Sequence, residues 1–86
     1  MKVSVDLTLT PLSDEYEHSI KTFIKKIRSL GFQVIENPLS TQIYGEYDSL
    51  MSSLQEIIRE TFEEESFVIL NLKIVKGDRS KYVPSF

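Results

Sequence analysis

Between Leu39 and Met51 the chain changes period. From Ser40 to Tyr47 side chains alternate in character, which suits a strand; from Asp48 onward the apolar positions fall at helical spacing. No loop intervenes, so a strand must hand the chain directly to a helix in the neighbouring layer. Gly45 lies inside the strand half, where glycine costs stability and marks a bulge or a close approach of another group. Asp48 stands where an N-cap is wanted, with a side-chain oxygen for the free amides of the next turn.

The rest of the chain arranges itself around that junction. Val3, Val5, Leu7 and Leu9 alternate with Ser4, Asp6, Thr8 and Thr10, giving a two-faced strand that Pro11 is expected to end. A helix follows, with Asp14 and Glu17 in capping-box spacing. Its apolar stripe runs through Tyr16, Ile20, Phe23, Ile24, Ile27 and Leu30, and Gly31 occupies the C′ stop. Phe32 to Glu36 is a second strand, turned at Asn37-Pro38 into the organising strand. The helix after it buries Leu50, Met51, Leu54, Ile57, Ile58 and Phe62; Glu63, Glu64 and Glu65 oppose its dipole, so that end should fray or turn into a loop near Glu63. Phe67 to Val75 is the last strand, Gly77-Asp78 turns the chain away, and the tail from Arg79 either docks or is mobile.

Strand, helix, strand, strand, helix, strand is an α+β order. Right-handed crossovers restrict it to a ferredoxin-like βαββαβ fold: a four-stranded antiparallel sheet ordered 4-1-3-2 with both helices on one face. Residues 1–86 read as one domain, near the size where a single core only just suffices. With no cysteine to staple it, a homodimer or homotetramer formed through the sheet is the expected further source of stability. A net charge of −3 argues against a nucleic-acid partner, which needs a basic face. No apolar run reaches the length of a membrane span, and no signal peptide precedes the first strand, so the expected location is cytoplasmic.

The face opposite the helices would carry Ser4, Asp6, Thr8 and Thr10, then Ser40, Gln42, Tyr44 and Glu46, and finally Phe67, Ile69, Asn71 and Lys73. A register with Ser4 near Glu46 and Asp6 near Tyr44 fits the central pair. A solvated face does not need the apolar residues, and a dry interface would not carry Asp6 and Glu46. Such a mixture suits sheet-to-sheet association that encloses a polar pocket for a small ligand. Asp6 and Glu46 would attract a cationic or amine-bearing molecule, and Tyr44 would stack on a flat ring. Ser40, Thr41, Gln42 and Asn71 offer the donors and acceptors a heteroaromatic edge requires. A structural alternative stands beside each: Asp6 paired with Lys73, Tyr44 as interface filler, and Thr41 as a strand former turned to the helices.

Several stretches together resemble the small thiamine-binding, YkoF-like family. They are Val5-Asp6-Leu7-Thr8-Leu9-Thr10-Pro11-Leu12, the Asn37-Pro38 turn, Ser40-Thr41-Gln42-Ile43-Tyr44-Gly45-Glu46, and Leu72-Lys73-Ile74. The resemblance runs from Val3 to about Lys76. It implies a ferredoxin-like protein that oligomerises through its sheets and binds thiamine or hydroxymethylpyrimidine without catalysis, with a ligand role for Ser40, Thr41 and Glu46. Tyr44 stands where many members carry glutamate, and the tail is short for the family.

Three classes of function follow: a non-catalytic binder of thiamine or a related pyrimidine, a regulatory or assembly module using the open face for protein contact, and an enzyme. Acylphosphatases have this fold but need an arginine in the loop after the first strand, and Pro11-Leu12-Ser13-Asp14 has none. No nucleophile and base stand at a recognisable spacing, and the sole histidine, His18, lies away from the apolar stripe of its helix. The binder is the reading the sequence favours, with no metal and no catalytic residue expected.

Overall fold

A computed structural model describes the whole chain, Met1–Phe86. Its elements are β1 (Lys2–Pro11), α1 (Tyr16–Ser29), β2 (Gln33–Glu36), β3 (Thr41–Glu46), α2 (Tyr47–Glu64) and β4 (Val68–Lys76). The strands form one antiparallel sheet in the order β2-β3-β1-β4, as the crossover argument requires. Val3, Val5, Leu7, Leu9 and Ile43 meet Phe23 and Ile27 of α1 and Leu50, Leu54 and Ile57 of α2 in a single buried cluster.

The register of the central pair differs from expectation by two residues. Ser4 faces Tyr44, Asp6 faces Gln42, and Lys2 faces Glu46. Period-two patterning fixes which face a side chain takes but not the offset along the strand, so every face assignment survives while the pairs change. The ladder is unbroken through Val3 opposite Gly45, so there is no bulge. Gly45 is instead a close approach: a Cβ there would lie 2.6 Å from Phe32 Cδ1 and 3.3 Å from Leu50 Cδ1.

Pro11 is the last residue of β1, as expected, although it still pairs with Val68. Leu12 donates its N–H to Phe67 O, so even-numbered residues of β1 turn their backbone groups toward β4 and odd-numbered ones toward β3. β3 stops pairing at Leu7, so the N–H that Pro11 lacks would have pointed at no strand.

Both helix starts also differ. Glu15, not Asp14, precedes α1, without a side-chain cap, and Tyr16 is half exposed rather than part of the buried stripe. α2 begins at Tyr47, one residue before the expected cap; Glu46 holds the cap position in extended geometry and Asp48 sits in the first turn. Tyr47 N–H donates to Met1 O at 2.8 Å, so the residue before β1 satisfies the first free amide of α2 and the helix can start ahead of Asp48. At the far end Thr61, not Phe62, is buried. Thr61 lies eleven residues after Leu50, about three turns at 3.6 residues each, whereas Phe62 is rotated a further ~100° out of line. The helix runs to Glu64 and then gives way to a loop, as expected near Glu63; there Lys26 of α1 reaches Glu60 at 3.3 Å and Glu64 at 3.0 Å. Lys26 accordingly keeps its proton to higher pH than usual, chiefly through the Glu64 bond.

The helices cover β1 and β3 and leave β4 largely uncovered. Leu72 and Ile74 on the helix side, and Ile69 and Val75 on the open side, remain 37–49% exposed. Past β4, Gly77 takes φ +102°, and the Ser4 hydroxyl donates to Gly77 O at 2.7 Å while accepting from Arg79 N–H at 2.8 Å. The start of the tail is therefore docked, and Ser4 is buried by it rather than left on an open surface.

Candidate functional site

The expected site residues fall into one hydrogen-bonded cluster and three separate hollows. The cluster lies where β1 and β3 pair. Gln42 Nε2 donates to Asp6 Oδ1 at 2.8 Å and to Ser40 Oγ at 2.6 Å, and its Oε1 accepts from Asn37 Nδ2 at 3.3 Å. Both amide hydrogens of Gln42 are thus engaged, so its work is to orient Asp6 and Ser40. Asn37 does more than turn the chain. Its Oδ1 accepts from the N–H groups of Leu39 and Ser40, each at 3.0 Å, so it builds the turn that presents Ser40.

The Gln42 hydrogen bond holds the Asp6 carboxyl below its ordinary range; partial burial opposes it, and Ser40 and Lys73 add to the lowering. Asp6 and Lys73 face each other across β1 and β4 but form no ion pair, so the expected structural pairing is positional only. A carboxylate accepts up to about four hydrogen bonds, and Gln42 uses only part of that capacity.

Beside the cluster lies a 160 Å³ crevice between the ends of β1 and β3, helix α1 and the Asn37–Ser40 turn. Leu7, Leu9, Ile20, Phe23 and Ile24 give it apolar walls; Thr8, Ser40 and Thr41 give it polar ones. Thr41 is buried on the helix side of the sheet, as strict alternation demands. Ser40 belongs to both features.

Tyr44 and Glu46 lie elsewhere. They line a 360 Å³ hollow with Lys2, Phe32, Gln33 and Asp78 toward the other end of β3. Burial pushes the Tyr44 phenol above its usual range, with Asp78 and then Asp6 adding to it. Glu46 accepts from the Met1 ammonium at 2.7 Å, and that bond holds its carboxyl low. Asp78, a turn residue by sequence, comes near Tyr44 only through the fold-back at Gly77. Asn71 lines a third hollow of 270 Å³ with Asp6, Leu72 and Lys73 at the β4 edge. A fourth, of 310 Å³, runs between the helices past His18, Glu15, Glu64 and Glu65, on the side away from the cluster. No group of three histidine, aspartate or glutamate side chains is gathered to hold a metal.

The element order, the sheet order and the one-sided helices define a ferredoxin-like α+β protein. The sequence profile of the thiamine-binding proteins matches residues 5–82, and the chain belongs to that family. A candidate thiamine biosynthesis/salvage protein from Thermotoga maritima is 26% identical and superposes with a TM-score of 0.78, over 86% of this chain and 82% of that one. A Streptococcus pneumoniae protein is 28% identical with a TM-score of 0.83, over 94% and 92%. A domain of unknown function from Bacillus cereus, 18% identical over 99% and 79% with a TM-score of 0.73, shares the fold. No curated protein matches the chain significantly. No helix is long and apolar enough to cross a membrane.

Proposed function

We propose that this chain binds thiamine or its hydroxymethylpyrimidine part without catalysing a reaction. Family membership supports the ligand class. The observation that carries the site is the crevice at Ser40, with apolar walls for a flat ring and hydroxyls for its nitrogens, joined through Ser40 to the Gln42-oriented Asp6 carboxylate. The pyrimidine ring would enter the crevice against Thr8, Ser40 and Thr41, and Asp6 would accept from its exocyclic amine or face the cationic ring of thiamine. At 160 Å³ the crevice is smaller than the roughly 300–1,000 Å³ that encloses a drug-sized ligand. It would hold one ring and leave the remainder of thiamine toward the open face, where a second copy would close over it. Tyr44, Glu46 and Asn71, in other hollows, would reach the ligand only in such an assembly.

Isothermal titration with thiamine and with hydroxymethylpyrimidine tests the reading. Binding is expected with both, weakened by about one to two decades in Asp6→Asn, the equivalent of roughly 1.5–3 kcal/mol for a charged hydrogen bond. No heat and no thermal shift at millimolar ligand would leave the assembly-module reading in its place.

A further inference from the structure

Asp6 lies between two strands and is bonded to only one of them. On one side Gln42 of β3 faces it and donates to Oδ1 at 2.8 Å. On the other, Lys73 of β4 faces it without forming an ion pair, although neighbouring strands lie only about 5 Å apart and a lysine side chain can close that gap. The carboxylate is drawn toward β3. The space left on the β4 side is the 270 Å³ hollow lined by Asp6, Asn71, Leu72 and Lys73.

One rung along the sheet, Thr8 stands opposite Asn71. Neither of these side chains, nor that of Lys73, makes a hydrogen bond within the chain. An ammonium, an amide and a hydroxyl are thus unspent around one carboxylate, which puts donors for an anion beside an acceptor for an amine. Thr8 also lines the crevice at Ser40, so the crevice and this hollow are neighbours.

We propose that Lys73, with Asn71 and Thr8, holds a phosphate group, and that the preferred ligand is the phosphate ester of hydroxymethylpyrimidine rather than the free alcohol or thiamine. This rests on the reading that the crevice holds the pyrimidine ring. In that ring the amine and the hydroxymethyl group occupy adjacent carbons, so an amine donating to Asp6 brings the hydroxymethyl oxygen to the same hollow. A phosphate monoester there carries a charge of about −1.5 to −2 at neutral pH and accepts charge-assisted bonds from Lys73. In thiamine the same methylene carries a cationic ring, which Lys73 repels. One side chain therefore favours the ester and disfavours thiamine.

Isothermal titration of the parent chain with hydroxymethylpyrimidine phosphate, hydroxymethylpyrimidine, thiamine and inorganic phosphate tests it, with circular dichroism as the fold control. The ester is expected to bind about tenfold or more tighter than the alcohol, and inorganic phosphate far more weakly than the ester because it leaves the crevice empty. Lys73→Gln should weaken the ester about tenfold and strengthen thiamine severalfold. A lysine that only blunts the edge of β4 would not produce changes of opposite sign. Lys76→Gln removes the same charge from the helix side of β4 and should change neither affinity. The phosphate assignment would be overturned, with the ring site left in place, by ester and alcohol binding alike, by inorganic phosphate binding as tightly as the ester, by a Lys73→Gln variant that keeps the parent's ranking, or by a Lys76→Gln variant that shifts it equally. Failure of all three organic ligands to bind would remove the ring site, and the phosphate assignment with it.

Discussion

Gln42 and Asp6 stand directly opposite one another on β3 and β1, and the Gln42 amide reaches Asp6 Oδ1 at 2.8 Å. The same amide nitrogen holds Ser40, so one neutral side chain sets the position of a carboxylate and a hydroxyl. Replacing it by leucine keeps the volume and removes both bonds. In Gln42→Leu the Asp6 carboxyl should titrate at higher pH than in the parent, as followed by carbon-detected NMR, and thiamine should bind more weakly. An Asp6 titration that does not move would mean the hydrogen bond is not what lowers it.

The acid side of the stability curve follows from the same kind of bond. Asp6, Glu36, Glu46 and Asp78 are all held below the ordinary carboxylate range, chiefly by hydrogen bonds to Gln42, Arg28, the Met1 ammonium and Ser80 respectively. Groups lowered in the fold bind fewer protons than they do unfolded, so their stabilisation is present above the unfolded carboxylate pKa values of about 4. It is lost as pH falls through the lowered values. Urea midpoints should therefore decline from pH 6 to pH 3, and Gln42→Leu should flatten that decline; a midpoint constant over this range would contradict the assignment.

Gly45→Ala tests the close approach of Phe32. The added Cβ would meet the ring at 2.6 Å, and overpacking of this kind costs about 1–3 kcal/mol. For a chain of this size the melting temperature should drop by roughly 4–8 °C per kcal/mol. Adding Phe32→Val should return part of the loss, since valine has no δ carbon to meet the added methyl. A melting temperature at or above the parent value in Gly45→Ala would show that the ring moves aside freely.

Thr61 and Phe62 give a paired test of how α2 is rotated. Thr61 is 4% exposed, with its hydroxyl donating to Ile57 O at 2.8 Å, while Phe62 is 50% exposed. Thr61→Asp should destabilise severely, because it buries an unpaired charge. Phe62→Ser should change stability by no more than about 0.5 kcal/mol, the usual range for a surface position. Denaturant melts that rank the two in the reverse order would place the stripe where the sequence alone put it.

Element order, sheet order and face were legible from Val3-Val5-Leu7-Leu9, the two helical stripes and the Gly31 and Asn37-Pro38 stops, because periodicity and chain connectivity act locally. The crevice was not legible. It needs Thr8, Ser40 and α1, which are far apart in the chain, and nothing in their spacing says that they meet. All of the expected ligand set but Thr41 was drawn from the open face of the sheet, and the fold divides it among hollows because side chains two residues apart on a strand lie about 7 Å from one another.

The sequence by itself determined the parity of each strand and the order of its elements, since a period of two or 3.6 is written in consecutive residues. Only the tertiary structure decided the two-residue offset that gives Gln42 rather than Tyr44 to Asp6. It also decided the handover of the first α2 amide to Met1, and the exposure of β4 beyond the reach of the helices. Each depends on where one element ends against another, and no local pattern encodes a distance between segments that touch only once the chain is folded.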